Sequence, residues 1–243
     1  GGVIVCRHPY YEYIGIRHGT DGEHVISVDK VMDEKIGLVK FDILGVASLV
    51  AIDEAKREDN IPDWEIDINN PEFENDKATY DLICSGKTDN LFQIESSGMK
   101  DLVAQLQPRS IEELSALIAL YRPDAMPSIP TYVDCKYHPE HIHYFHPDME
   151  PIFRSTYGVN IYQEQSMKLT KVFGGRNDAG ADRMRKCLAK KKPEKVKEEV
   201  TILRKEILDN GYDSRTAEYI CDELSTKGGY GLTKVKSLML ATA

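Results

Sequence analysis

The apolar pattern of this chain changes period once, and that change restricts its architecture more than any other feature. Up to residue 45 it runs in short β-branched stretches, GGVIVC (1–6), GEHVISVD (22–29) and IGLVKFDIL (36–44), parted by polar or glycine-bearing turns. From Val46 the spacing becomes helical. VASLVAIDEAKRED brings Val46, Leu49, Val50 and Ala51 together ahead of a charged end. Such a chain is expected to fold as α+β, a small β piece followed by a large helical one.

The helical part carries its own start and stop signals. An acidic stretch with Asn and Pro, NIPDWEIDINNPEFEND (60–76), reads as a loop. DKATYDLICSG ends on Gly86 in a C-cap position, and SSGMKDLVAQLQ reads as a short helix. SIEELSALIALY opens with a capping box, Ser110 and Glu113, and stops before Arg122-Pro123. A Pro- and His-rich connector is expected over about 123–148. YQEQSMKLTKVFGG reads as a helix stopped by Gly174-Gly175, and NDAGADRMRKCLAKKK as one capped by Asn177 or Asp178. PEKVKEEVTILRKEILDNG starts on Pro193 and ends at Gly211, and DSRTAEYICDELST is a last amphipathic helix. No internal repeat or low-complexity tract interrupts this order. Both ends read as cuts through something longer.

Bulk properties narrow the function. The 243 residues carry a net charge of −9, so any nucleic-acid role must rest on a local basic patch. The five cysteines, Cys6, Cys84, Cys135, Cys187 and Cys221, are scattered and form no CxxC, which fits a reducing cytoplasm. No apolar run approaches the ~20 residues of a membrane span, so no membrane partner is expected.

Two places could carry chemistry. GLVKFDILG (37–45) reads as a buried strand, yet it holds two charges on one face. Alternation puts Leu38, Lys40 and Asp42 on one side and Val39, Phe41 and Ile43 on the other. An edge strand with a wet polar face would explain the pair. So would a carboxylate on a rigid strand binding Mg²⁺, with an ammonium beside it for phosphate oxygens. Two-metal chemistry needs several converging carboxylates, so one Asp is not enough. The other place is RMRKCLAKKK (183–192), with six Lys/Arg and no acid in an acidic chain. On a helix Arg183 and Lys186 share a face, as do Lys186 and Lys190. A solvated face and a phosphate-binding helix both fit.

Weaker signals lie elsewhere. YRPDAM (121–126) projects Arg122 at a helix break. LFQIESSGM (91–99) and TYGVNIYQEQSM (156–167) hold polar runs with no evident core role, the latter around Tyr162 and Gln163. His138, His141, His143 and His146 fall within nine residues, a composition that suits zinc, though without a fixed helical frame or a partner cysteine.

Taken in order, these pieces resemble the α subunits of bacterial DNA polymerase III, the C-family replicative polymerases. GLVKFDILG resembles the palm strand that supplies the family's third catalytic aspartate. LFQIESSGMKDLVAQLQP, ALIALYRPDAM, TYGVNIYQEQSM and GADRMRKCLAKKKPE resemble successive finger motifs, and GGYGLTK stands where the family has Gly-Tyr-(Gly/Ser)-Phe-Asn-Lys. The resemblance implies a palm remnant of the polymerase-β-like nucleotidyltransferase type over 1–47 and an incomplete, mostly helical fingers domain over 48–243. It makes Asp42 a catalytic ligand of a two-Mg²⁺ site whose other ligands lie upstream, and Lys40 a palm lysine facing the nucleotide. It makes Arg122, Arg185, Lys186, Lys190, Lys191, Tyr162 and Gln163 candidates for binding the incoming dNTP. Primer–template DNA, the rest of the α chain and the sliding clamp or other holoenzyme subunits are the implied partners.

The sequence also departs from the family. Asp124-Ala125 follows Arg122-Pro123 where the family has Gly-Pro, Lys186 replaces the second arginine of a pair, and Leu232-Thr233 replace Phe-Asn. An Arg-to-Lys change loses a planar fork. With one of three metal carboxylates, the chain alone is expected to be inactive as a DNA-directed DNA polymerase. The alternative is a non-catalytic truncated or phage-borne relative acting as a binding module.

Overall fold

The computed structural model describes residues 2–20, 22–42, 47–59, 76–123, 125–189, 193–227 and 231–242. They form two compact units, Gly1–Ala51 and Ile52–Ala243.

The first unit is built on two small antiparallel sheets. β1 (Gly2–Val5) pairs with β4 (Val39–Asp42), with Val3 opposite Phe41 and Val5 opposite Val39. β2 (Ile16–His18) pairs with β3 (His24–Ile26) in a hairpin, and a short helix α1 (Lys30–Lys35) leads into β4. The hairpin's first strand and α1 are additions to the β-runs read from the sequence. The expectation that GLVKFDILG is a buried strand is corrected for its described part, and its residues 43–45 lie outside the described residues. Val3, Val5, Val39 and Phe41 are each about half exposed (48%, 54%, 53% and 53%), and Lys40 is exposed. A two-stranded sheet has no second layer of its own, so its apolar side meets solvent. Leu38, just before the strand, is buried.

After α2 (Ala47–Asp59) the second unit is helical. Of the loop read over residues 60–76, all but Asp76 lies outside the described residues. α3 (Lys77–Cys84) is capped by Asp76 and, as the sequence predicts, ends before Gly86 at φ +77°. α4 (Ser97–Leu106) starts on Ser96, and α5 (Ile111–Leu120) on Ser110, whose Oγ accepts from Glu113 N at 3.2 Å. The predicted box closes differently: the Glu113 carboxylate accepts from Arg109 N at 2.7 Å instead of Ser110 N. The connector over 123–148 contains α6 (Ile129–Tyr137). Pro127 and Pro130 look like breakers in the sequence, but Pro130 lies in the first turn, where its missing N–H costs nothing.

A second group of helices follows: α7 (Glu150–Phe153), α8 (Gln163–Val172), α9 (Asp178–Ala189), α10 (Pro193–Asp209), α11 (Ser214–Lys227) and α12 (Lys234–Thr242). Asn177 caps α9 through Gly180 N, and Asp213 caps α11 through Thr216 N. Two apolar cores result. Leu106, Leu117, Leu120, Tyr132, Tyr162 and Leu240 belong to one, and Phe173, Met184, Leu203, Ile207, Ile220 and Leu224 to the other. All five cysteines are free thiols. No described helix is long and apolar enough to cross a membrane.

Candidate anion-binding site at the start of α8

The chain enters α8 extended, with Tyr162 at φ −111° and ψ 146°. Gln165 locks this entry. Its Oε1 accepts from Ile161 N and Tyr162 N, both at 2.9 Å, and its Nε2 donates to Ile152 O at 3.2 Å and Thr156 Oγ1 at 2.7 Å. Gln165 is buried, and every polar atom of its amide is bonded, so it specifies the bend without an unpaired group. Asn160 and Ser166 pair beside it at 3.2 Å. The polar run that had no evident core role in the sequence therefore has one at Gln165 and Ser166.

The GGYGLTK segment docks on this entry; its residues 228–230 lie outside the described residues. Tyr162 and Leu232 form a parallel bridge, and Gln163 N donates to Leu232 O at 3.2 Å. Gly231 is required by the close approach, since a Cβ there would lie 2.8 Å from Gln163 N and 3.0 Å from the Tyr162 carbonyl carbon. Glu164 accepts from Lys234 N at 3.0 and 2.9 Å, placing a carboxylate on the N-terminus of α12.

Helix α9 packs on α8 and presents its cations at this corner. Arg185 Nε and Nη2 donate to Asp182 Oδ1 at 3.0 and 2.7 Å, and Arg185 Nη1 reaches Gln163 Oε1 at 3.4 Å. Lys186 Nζ lies 2.9 Å from Asp182 Oδ2. The Lys186 ammonium, then the Arg185 guanidinium, hold the Asp182 carboxyl below its ordinary pKa. The Arg185 side chain is 29% exposed and that of Lys186 62%, so solvent anions can reach both.

Gln163, Arg185 and Lys186 are thus brought together as the sequence reading groups them. Tyr162 is corrected as a direct ligand contact. Its ring is buried at 3% exposure and its hydroxyl lies 3.0 Å from Ser115 Oγ, so it supports the site from beneath. Arg122 is half-buried and, among the described residues, makes no side-chain hydrogen bond or ion pair with this cluster. Its neighbour Tyr121 lies over Gly98, which joins the YRPDAM and ESSGM motifs. Lys190 and Lys191 lie outside the described residues. Arg183 turns outward near Glu199 at 3.8 Å. Lys40 and Asp42 belong to β4 of the first unit, with Asp42 in register opposite Gly2.

The sequence reading missed Asp182 because the run taken as acid-free begins one residue after it. Its i, i+3 and i, i+4 spacing to Arg185 and Lys186 was the available signal. The histidine run pairs singly with acids. His141 Nδ1 lies 2.9 Å from Asp134 Oδ2, and His138 Nδ1 lies 3.3 Å from Glu140 Oε1. No group of three or more metal-ligating side chains occurs among the described residues.

Fold and cluster describe a mostly helical domain with an accessible Arg185–Lys186 pair at a helix–helix corner. Residues 48–211 match the bacterial DNA polymerase III alpha subunit finger domain, and the chain belongs to that family. It is 38% identical over 234 residues to the DNA polymerase III subunit alpha of Rickettsia conorii, covering 96% of this chain and 20% of that protein. The corresponding subunit of Borreliella burgdorferi is 36% identical over 238 residues, covering 96% and 20%, and that of Staphylococcus aureus 32% over 241, covering 98% and 22%. The chain spans about a fifth of the length of these curated relatives.

Proposed function

We propose that the chain is a piece of a cytoplasmic, C-family replicative DNA polymerase and that its own part in the reaction is to grip the phosphates of the incoming dNTP. The observation that carries this reading is the Arg185–Lys186 pair, held beside Gln163 at an accessible corner in a polymerase III finger family member. A triphosphate carries several negative charges on its β and γ groups. A guanidinium and an ammonium on one helix face match that charge, and the guanidinium adds directional N–H donors. In phosphoryl transfer the protein contributes mainly positioning and charge stabilisation. As a primer 3′-hydroxyl attacks the α-phosphate, negative charge builds on the departing pyrophosphate, and Arg185 and Lys186 neutralise it. Arg122, Lys190 and Lys191 would extend the cationic surface.

Residues 1–47 are assigned to the end of a polymerase-β-like palm and 48–243 to incomplete fingers. The half-exposed apolar side of β1 and β4 supports this, because a sheet of that composition is suited to packing within a larger layered domain. Lys40 is the palm lysine of this reading, and Asp42 a carboxylate for Mg²⁺, the ion that activates such reactions. The described residues do not fit a two-metal site by themselves, as no second and third ligand gather among them. The remaining ligands are assigned to the longer polypeptide, and the chain alone is assigned no polymerase activity. Primer–template DNA, the rest of the α chain and clamp or holoenzyme subunits are its partners.

The test is binding of a fluorescent dNTP analogue to the chain. Arg185→Ala with Lys186→Ala should weaken binding at least roughly tenfold, the loss of two charge-assisted contacts. Unchanged binding overturns the reading. For the palm assignment, Asp42→Asn in a full-length α subunit should abolish primer extension with folding intact, and an active variant removes Asp42 from the site.

A further inference from the structure

Asp182 sits one helical turn before both cations and is shared between them. Oδ1 takes two donors of the Arg185 guanidinium, at 3.0 and 2.7 Å, and Oδ2 lies 2.9 Å from the Lys186 ammonium. A group with two anionic oxygens, one on a guanidinium and one on an ammonium, is arranged as a phosphate would be.

We propose that Asp182 is a built-in stand-in for phosphate, which holds Arg185 and Lys186 in place in the free protein and yields them to a ligand carrying more negative charge than itself. The proposal rests on the reading of this corner as a polyphosphate site. Three features favour exchange over a permanent lock. Asp182 is itself 37% exposed, so its contacts with the cations are screened and weakly held. Arg185 has a further contact, Gln163 Oε1 at 3.4 Å, on an element other than its own helix, which keeps the guanidinium aimed when the carboxylate is left behind. The charge balance also sets a threshold. With Asp182 the three groups sum to one positive charge, so a monoanion gains little by displacing the carboxylate, whereas a polyphosphate replaces one negative charge with several. Asp182 is therefore a positioning residue that selects for ligand charge.

The experiment is displacement of a fluorescent nucleotide from the intact chain by inorganic tripolyphosphate. It compares the unaltered chain with Asp182→Asn, Asp182→Glu and the Arg185→Ala/Lys186→Ala pair, each checked for folding by circular dichroism and a thermal melt. Asp182→Asn keeps the shape and removes the competing charge. It should bind tripolyphosphate roughly three- to tenfold more tightly, with a steeper loss of affinity as NaCl rises. Asp182→Glu retains the charge and should not show the gain of Asp182→Asn, and an equal gain in both variants overturns the charge-selecting role. A merely structural aspartate predicts the opposite sign, weaker binding on Asp182→Asn. If Asp182→Asn binds equally or more weakly while the double alanine variant loses binding, the stand-in role is overturned and the polyphosphate site stands. If the double alanine variant binds as well as the unaltered chain, or if none binds at millimolar tripolyphosphate, the site itself fails and the stand-in role with it.

Discussion

The Tyr162 hydroxyl and Ser115 Oγ lie 3.0 Å apart, 47 residues from one another in sequence, with both side chains buried. The Ser115 carbonyl in turn accepts from Ser237 Oγ at 2.5 Å, so α5 ties the entry of α8 to α12. Tyr162→Phe should cost about 1 kcal/mol, the worth of a buried neutral hydrogen bond, and lower the melting temperature by roughly 2–4 °C. Nucleotide binding should stay within about twofold, since 1.4 kcal/mol is tenfold and the ring is buried at 3% exposure. A large loss of binding with an unchanged melt would return Tyr162 to the list of direct contacts.

Alkaline pH should weaken the fold through the same residue. Burial pushes the Tyr162 phenol up to about 12 from 10.0. Burial also raises Tyr132, and burial followed by the Glu113 carboxylate raises Tyr157. Above pH 10 the unfolded chain loses these protons while the folded chain keeps them. The unfolded state then binds fewer protons, and stability falls as pH rises. The Tyr162 contribution is fully present below pH 10 and is lost between 10 and 12, about 2–3 kcal/mol at about 1.4 kcal/mol per pH unit. Urea midpoints measured from pH 8 to 11.5 check this, and Tyr162→Phe should flatten part of the fall.

Two glycines that look alike in sequence should respond differently to alanine. At Gly231 a Cβ would meet backbone, Gln163 N at 2.8 Å, and would break the bridge that carries Leu232 and the cap on Lys234. At Gly98 the nearest atoms it would meet are not backbone but the hydroxyl end of the half-buried Tyr121 side chain. Gly231→Ala should cost about 2–3 kcal/mol, in the range of overpacking a tight contact. Gly98→Ala should cost under about 1 kcal/mol, since volume changes that neighbours absorb are tolerated. Equal thermal shifts would contradict the docking of the two segments.

Local signals were legible in the sequence wherever a single side chain acts on its own helix end. Asp76, Ser96, Ser110, Asn177 and Asp213 all accept from the helix they precede. The grouping of Gln163 with Arg185 was legible only through the family's motifs, because the contact joins two helices 22 residues apart. What failed was burial. GLVKFDILG has the composition of a covered strand, but coverage is a property of whatever lies over a sheet, not of the strand. Likewise Gln165 looked exposed by type and is buried because its amide finds four partners that no local pattern announces. The helix Ile129–Tyr137 was hidden by Pro127, which precedes it, and by Pro130, whose position in the first turn makes it harmless.

Lys136 closes the C-terminal end of α4 and should be worth more than an ordinary ion pair. Its ammonium donates to Leu106 O at 2.7 Å, to Gln107 O at 2.9 Å and to Glu113 Oε2 at 2.9 Å. Glu113 Oε1 accepts from the Tyr157 hydroxyl at 2.6 Å. Both charged side chains are nearly buried, at 11% and 13% exposure, so removing one leaves the other without its counter-charge. Lys136→Met should therefore destabilise by about 3 kcal/mol or more, and the effect should change little up to molar salt. Lys136→Met with Glu113→Gln should recover part of the loss, because the amide carries no uncompensated charge and its oxygen can still accept from Arg109 N or the Tyr157 hydroxyl. The exposed Arg57–Asp53 pair, 2.7 Å apart at 78% and 54% exposure, sets the contrast. Its removal should cost under about 1 kcal/mol and vanish in salt. A urea double-mutant cycle at low and high NaCl measures both couplings, and a Lys136–Glu113 coupling that salt screens away would show the pair to be solvated in solution.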